Sequence, residues 1–312
     1  MKRLGVLGTL VRDTIIHPAA PAPVRAWGGI GYALAAFEAA LPDGWNTVPI
    51  VKIGADLHAR ATSFMRSFTR VGDARFVRTV PEPNNRVELV YSNDSDRLEI
   101  LSGGVPEWTV REVGEFLSGL DALYVNFIAG MELTLPGAKR IRDGLAGPSH
   151  ADLHSLFLGV ESDGRRVPRY LRSSEEWAGC FDTVQMNEDE FAMFSRDAAD
   201  PVRAAASAFE ARARMIAVTR GSQGVKVIAA RRDRDPAEWD IPTSSVPASG
   251  DPTGCGDVWG AAFFSGVLAG ADRGTAITYA QALARCKLRC RGADETRRHL
   301  AVEGPRPPWS PH

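Results

Sequence analysis

Residues 251–270 read Asp251-Pro252-Thr253-Gly254-Cys255-Gly256-Asp257 and then VWGAAFFSGVLAG. Two glycines flank one small residue where an apolar helix, expected over Gly254–Leu268, begins. At a helix start backbone N–H groups are free and the dipole is positive. Glycine lets those groups approach an anion closely, so the segment reads as an anion hole suited to a phosphate. Asp257 falls at the start of the helix. A carboxylate there can take a proton from an attacking hydroxyl while the hole holds a transferring phosphoryl group. Taken alone, the same aspartate also reads as a helix cap.

Outward from this segment, strand-like apolar runs alternate with helix-like ones, the pattern of a mostly parallel sheet with helices on both faces. Leu4–Leu10, Thr47–Ile53, Ala122–Phe127, His150–Leu153, Thr183–Met186 and Met215–Thr219 read as strands. Gly29–Leu41, Ala55–Phe68, Leu135–Gly144 and Thr275–Arg291 read as helices. Val225–Ala229 and Trp239–Val246 read as an edge hairpin, and the mixed charges of Arg231–Asp235 as its exposed loop. Two stretches break the rhythm. Asp73–Ser102 holds FVRTV, RVELVYS and RLEIL between the turn clusters Pro81–Asn85 and Asn93–Asp96, which predicts antiparallel ribbons. Asp13–Trp27 is a similar proline-rich excursion. The two are expected to pair into one small sheet, a lid formed by 12–27 and 73–102. The expected organisation is one domain over 1–312 with a loosely ordered tail at 304–312.

The bulk numbers fit a globular chain. It has 312 residues, 44% apolar and 24% charged, with a net charge of −1. Nothing there points to a nucleic-acid or membrane partner. No stretch approaches the ~18 apolar residues of a transmembrane helix, and the apolar N-terminal run is cut off at Arg12-Asp13. Four cysteines without a CxxC pair suit a reduced compartment. A cytoplasmic protein is expected.

The run at 251–257 resembles the second signature of the ribokinase-like (PfkB) carbohydrate kinases, D-T-x-G-A-G-D before an apolar helix, with Pro252 and Cys255 in place of the usual Thr and Ala. The resemblance implies a three-layer α/β/α fold with a β-sheet lid. It implies Asp257 as catalytic base and N–H groups around Gly254, Cys255 and Gly256 as the anion hole. Other motifs follow in the family's order. Gly28-Gly29 opens a helix, like the glycine pair that contacts the sugar, and Asp13 matches the carboxylate that binds substrate hydroxyls. Asn187 and Glu190 match the N-x-x-E motif of the magnesium environment. Thr219, Gly221 and Gly224 match the T-x-G-x-x-G turn on the nucleotide side, and Gly292-Ala293 a late Gly-Ala near the adenine site. The cofactors implied are ATP and Mg²⁺, with a monovalent cation near Asp251. The partners implied are a sugar-like substrate and a second copy paired through the lid.

The sequence also departs from that pattern. Ala33 stands where the first signature carries an asparagine, so an amide that would bond a sugar hydroxyl is missing and discrimination changes. Trp27 and Tyr32 flank the glycines as stacking or core residues. The Cys255 thiol, at a helix N-terminus, is expected to be reactive and shielded by ATP. Asp152 in His150-Ala151-Asp152-Leu153-His154 is a candidate to face the site, the two histidines a candidate metal pair, and Asn85 and Arg86 candidate substrate contacts. Three other readings compete: a nucleoside kinase of the same family, a sugar- or nucleotide-sensing protein without turnover, and a dinucleotide oxidoreductase. The last lacks G-x-G-x-x-G after the first strand, where the run is Gly5-Val6-Leu7-Gly8-Thr9-Leu10.

Overall fold

The chain builds one large sheet, and its apolar strands are buried by helices on both faces. This is a computed structural model, and it describes residues 1–16, 22–92, 97–198, 200–231, 234–243 and 250–310. The first elements are β1 (Lys2–Leu7), β2 (Arg12–Ile16), β3 (Val24–Trp27), α1 (Ile30–Ala40), β4 (Trp45–Gly54), α2 (His58–Met65) and β5 (Val77–Val80). Then come β6 (Arg86–Tyr91), β7 (Arg97–Ser102), α3 (Val110–Leu117), β8 (Ala122–Asn126), α4 (Leu135–Gly144) and β9 (Ser149–Asp152). The middle of the chain adds β10 (Leu158–Val160), β11 (Arg166–Pro168), α5 (Ser174–Ala178), β12 (Thr183–Asn187), α6 (Glu188–Phe194) and α7 (Pro201–Glu210). The last are β13 (Met215–Thr219), β14 (Val225–Arg231), β15 (Arg234–Ile241), α8 (Cys255–Ala269), α9 (Arg273–Lys287) and α10 (Gly292–Glu303).

The nine-stranded sheet runs β15-β14-β13-β12-β9-β8-β1-β4-β5. It is parallel from β13 to β5, and β14 and β15 join antiparallel at one edge. Helices α1, α2, α8, α9 and α10 pack on one face and α3, α4, α5, α6 and α7 on the other, each with its own apolar cluster. The three-layer arrangement expected from the sequence is therefore present. A four-stranded sheet, β3-β2-β6-β7, stands apart and buries Val11, Ile15, Val87, Leu89 and Leu101 against Ala129.

Three expectations need correction. The stretch FVRTV is not part of the small sheet: Val77–Val80 pairs in parallel with Val51–Gly54 and extends the main sheet. Local alternation gives a strand but not its partner. Nor is the small sheet wholly antiparallel, because β2 and β6 pair in parallel. They are separate excursions from the main sheet, and no hairpin joins them. The tail is not loose up to Ser310: Trp309 packs edge-on against Tyr279 at 4.8 Å and its Nε1 donates to the Ala40 carbonyl at 2.8 Å. An indole that buries its ring and satisfies its N–H holds a segment with no regular structure. The turn 93–96, part of the hairpin loop at 231–235, the end of the 239–246 strand and residues 311–312 lie outside the described residues. Among the described residues no helix is long and apolar enough to cross a membrane.

One polar knot ties β4 and β5 to α3. Glu112 caps α3 together with Thr109, accepting from the Thr109 N–H at 2.8 Å, and also accepts from Lys52 Nζ at 3.1 Å and Arg78 Nη1 at 2.8 Å. Both cations lie over Trp108, at 4.8 and 5.3 Å from its centroid. Burial opposes ionisation of Glu112, but the hydrogen bonds from Thr109 and Lys52 outweigh it and lower the carboxyl from 4.5 to about 2. A depressed acid stabilises the fold above its unfolded value and loses that contribution as pH falls. Glu112→Gln should cost about 2 kcal/mol at pH 7 in a urea melt. The difference between wild type and variant should shrink as the melts are repeated from pH 5 down towards 3.

Candidate functional site

The parallel strands end on one side of the main sheet, and their carboxyl ends carry polar residues in register. Asn126 of β8 lies beside Asp152 of β9, and Asp152 beside Gln185 of β12. One step back, Tyr124 lies beside His150, and His150 beside Thr183. Period-two alternation sends both rows to one face. That face meets the first turns of α8. Carboxyl ends of strands in open α/β sheets are where ligands bind.

Helix α8 approaches this floor closely because it presents glycine. A Cβ on Gly260 would fall 2.4 Å from Gln185 Oε1 and 2.9 Å from the Tyr124 hydroxyl. A Cβ on Gly254 would fall 2.5 Å from the Tyr32 ring, and Gly254 has φ +82. The floor also holds the start of the helix. Gln185 Nε2 donates to the Gly256 carbonyl at 3.0 Å, and Asn126 Nδ2 donates to Asp257 Oδ1 at 2.5 Å. Burial raises the Asp257 carboxyl above its ordinary value, while Asn126, His154 and Lys287 act against the rise. A raised carboxylate is the better proton acceptor.

The amides at this helix start sort unevenly. Cys255 donates its N–H to the Pro252 carbonyl at 3.0 Å, and the regular ladder begins with Val258 to Gly254 at 3.0 Å. Among the described residues the amides of Gly254, Gly256 and Asp257 have no backbone partner. Of the three amides expected to form an anion hole, that of Cys255 is therefore occupied by a backbone carbonyl. The Cys255 thiol also departs from expectation. Its Sγ points at the carbonyls of Ala284, at 3.5 Å, and Asp251, at 3.9 Å. Burial pushes it up to about 11, and the nearby Asp251 and Asp257 outnumber Lys287. Burial prevails over the helix dipole, and the thiol is protonated.

A carboxylate group borders the same end. Burial and then Glu190 raise Asp152 to about 8, with Asp257 adding to the rise and His154 opposing it. Asp152 Oδ2 lies 3.9 Å from where a Gly256 side chain would start, so it faces the helix end. Asn187 and Glu190 do not stand free. They form the capping box of α6, with Glu190 Oε2 accepting from the Asn187 N–H at 2.7 Å and Oε1 from its amide at 2.6 Å. Glu190 also bonds His154. Against the cost of burial, the pull of Glu190 raises His154 to about 9, so it is cationic at neutral pH. His150 lies apart: it stacks on Tyr124 at 5.3 Å, bonds Thr183 at 2.8 Å, and burial lowers it to about 3. The two histidines therefore make no metal pair, and the described residues hold no group of three acidic, His or Cys side chains set for a metal.

On the other side of α8, Asp13 of β2 is buried and faces the glycine pair. A Cβ on Gly28 would fall 1.9 Å from Asp13 Oδ2, so only glycine leaves that carboxylate room. Gly29 has φ +59, and a Cβ there would meet the Thr9 carbonyl at 2.2 Å. Trp27 stacks on Phe64 and Tyr32 is buried, so both are core residues. Asn85 and Arg86 are structural as well. Asn85 Oδ1 accepts from the Val105 N–H at 3.2 Å, and Arg86 pairs with Asp56.

The turn after β13 places Gly221 at φ +52 and Gly224 at φ +93, the latter against the Ile241 carbonyl. Thr219 caps the strand, its hydroxyl donating to the Met186 carbonyl at 3.4 Å. Gly292 has φ +71 and packs against the small sheet. A Cβ on it would meet Ala26 of the small sheet at 2.2 Å, and Ala293 abuts Gly31 of α1, so this pair sits on the Asp13 side. Tyr91 of the small sheet bonds Thr253 through their hydroxyls at 2.9 Å. Both edges of the small sheet have neighbours: Leu101 N–H donates to the Gly164 carbonyl at 2.8 Å beside β7, and α10 packs on β3. Strand pairing with a second copy would have to displace them. Sequence reasoning missed Asn126 and Gln185. Their signal was a polar residue every second position in otherwise apolar strands.

The backbone is the ribokinase-like fold. Residues 163–299 match the family described as pfkB family carbohydrate kinase, the family the sequence resembles. Among solved structures, a pyrophosphate-dependent kinase in the ribokinase family, in complex with sulfate, superposes with a TM-score of 0.74 at 20% identity over 96% of this chain and 99% of that one. Ribokinase from Thermotoga maritima gives 0.71 at 18% identity, over 97% and 99%. A Burkholderia thailandensis nucleoside kinase in complex with inosine gives 0.71 at 18%, over 98% and 99%. No curated protein matches the chain.

Maleimide at pH 7 should leave Cys255 unmodified for hours in the folded protein, with or without ATP, as read by peptide mass mapping. Labelling of Cys255 within minutes, slowed by ATP, would restore the reactive thiol.

Proposed function

We propose that this protein is a kinase that transfers the γ-phosphoryl group of ATP to a hydroxyl of a sugar or sugar-like molecule. One observation carries the reading. The Asp257 carboxylate stands in the first turn of α8, held by Asn126, beside amides of Gly254, Gly256 and Asp257 that have no backbone partner among the described residues. A base and an anion hole share one helix end, as in-line phosphoryl transfer needs. Asp257 accepts the proton of the acceptor hydroxyl, and the amides hold the transferring group where its charge builds up. Asp13 would accept hydroxyl hydrogen bonds, with the Gly28-Gly29 backbone beside it. Thr219, Gly221 and Gly224 would line the nucleotide side. Gly292, by its contacts with Ala26, belongs with the acceptor side instead.

Magnesium fits the donor set. The raised Asp152, with Asp257 and Glu190 around it, is an excess of carboxylate that a divalent ion on ATP would neutralise. Asp152 would face that ion, and Asn187 and Glu190, bonded to one another, would act through water. When bound, the ion would supply positive charge to balance that of the phosphate. The small sheet, tied to Thr253 by Tyr91, would serve as a lid that excludes water.

The competing reading is a nucleoside kinase of the same family, which would differ in the acceptor it takes. The two are separated by assaying ATP and pyrophosphate as donors across sugars, polyols, inositols and nucleosides. Turnover of one acceptor class is expected. Asp257→Asn should lower kcat by about 10²–10⁴-fold and leave Mg·ATP affinity within a few-fold. Binding of ATP without turnover on any acceptor would favour the sensing reading.

A further inference from the structure

Beneath the phosphate loop lies a charge that the proposed chemistry does not use. Lys287, at the end of α9, is fully buried. Its Nζ donates to the Asp251 carbonyl at 2.9 Å, stands 3.8 Å from Asp251 Oδ2, and lies 5.3 Å from the centroid of the Tyr32 ring. The same ring sits against Gly254, the cap of α8. The Asp251 N–H in turn donates to the Leu288 carbonyl at 2.9 Å, which clips the end of α9 to the loop. A buried ammonium is costly unless carbonyls, carboxylates or rings surround it. This one has one of each: the carbonyl and the carboxylate belong to Asp251, in the segment leading into α8, and the ring is that of Tyr32 in α1, packed against Gly254.

The ammonium uses the donors that a monovalent metal ion at Asp251 would need, a backbone carbonyl and a carboxylate. A cation of the same charge already bonds that carbonyl, so the residues present do not fit a separate ion there. We infer that Lys287 is the resident monovalent cation of the phosphate site, and that the protein binds phosphoryl groups without sodium or potassium. The ammonium adds a fixed positive charge behind the amides of Gly254, Gly256 and Asp257. Buried, it is screened little by salt. It acts through the loop, so Lys287 is a positioning residue. This inference rests on the reading that those amides bind phosphate.

The test is calorimetric titration of Mg·ATP and, separately, of inorganic pyrophosphate in choline, sodium and potassium chloride at matched ionic strength. Wild type should bind each probe with a Kd constant within twofold across the three salts. Lys287→Met should bind at least tenfold more weakly in choline chloride. Arg289→Gln, which removes an exposed charge from the segment just after α9, should not change the Kd. A wild-type Kd that tightens tenfold from choline to potassium would overturn the inference, as would Lys287→Met binding like wild type. If Lys287→Met gives no cooperative melt, the wild-type salt series decides alone. Binding of pyrophosphate but not ATP would remove ATP as donor and leave the pyrophosphate titrations to judge Lys287. Binding of neither probe would end both readings.

Discussion

The close approach of α8 to the ends of β8, β9 and β12 is the constraint on which the rest of this molecule depends. A helix ordinarily stands about 10 Å from a sheet because side chains fill the gap. Here Gly260 removes that spacer, and a polar group of the sheet bonds the helix backbone directly. The gain is position. A carboxylate on a helix end is free to swing, whereas Asp257 is held by an amide fixed in a strand. The requirement for glycine is steric: Gln185 and Tyr124 occupy the space that a methyl group would need.

The electrostatics of the site follow from the same packing. Carboxyls at 152, 190 and 257 converge because neighbouring strands end side by side. Burial then raises Asp152 and Asp257 instead of leaving two bare charges. Cations are distributed around them, with His154 on Glu190 and Lys287 on Asp251. The floor is acidic where a divalent ion would enter and basic beneath the amides. An extended polyphosphate with its metal has the complementary polarity.

Much of this was legible in the sequence, and the reasons for the rest are specific. The glycines at 254 and 256 and the apolar run after them located α8 to within a residue, because helix starts are written locally. The strand Met215–Thr219 and the helix Leu135–Gly144 are found as expected. The partner of Val77–Val80 was not legible, since pairing is a long-range choice between equally suitable edges. The fate of the Cys255 thiol was missed because a helix start favours a thiolate, whereas burial against another helix, α9, where the thiol meets the Ala284 carbonyl, sets the outcome. Gly292 was placed by its motif, and its contact with Ala26 needs the fold. Asn126 and Gln185 were hidden in strands otherwise read as core.

The hydroxyl pair of Tyr91 and Thr253 joins the small sheet to the segment that leads into α8. In the proposed kinase that bond would be a thermodynamic linkage between two ligand-binding parts. Whatever displacement of the sheet an acceptor favours would change the free energy of the loop proposed to receive the donor. By reciprocity the donor would change the affinity for the acceptor by the same factor. One hydrogen bond of ordinary strength limits that factor to roughly tenfold. The two ligands would then sense one another across the cleft before any atom is transferred.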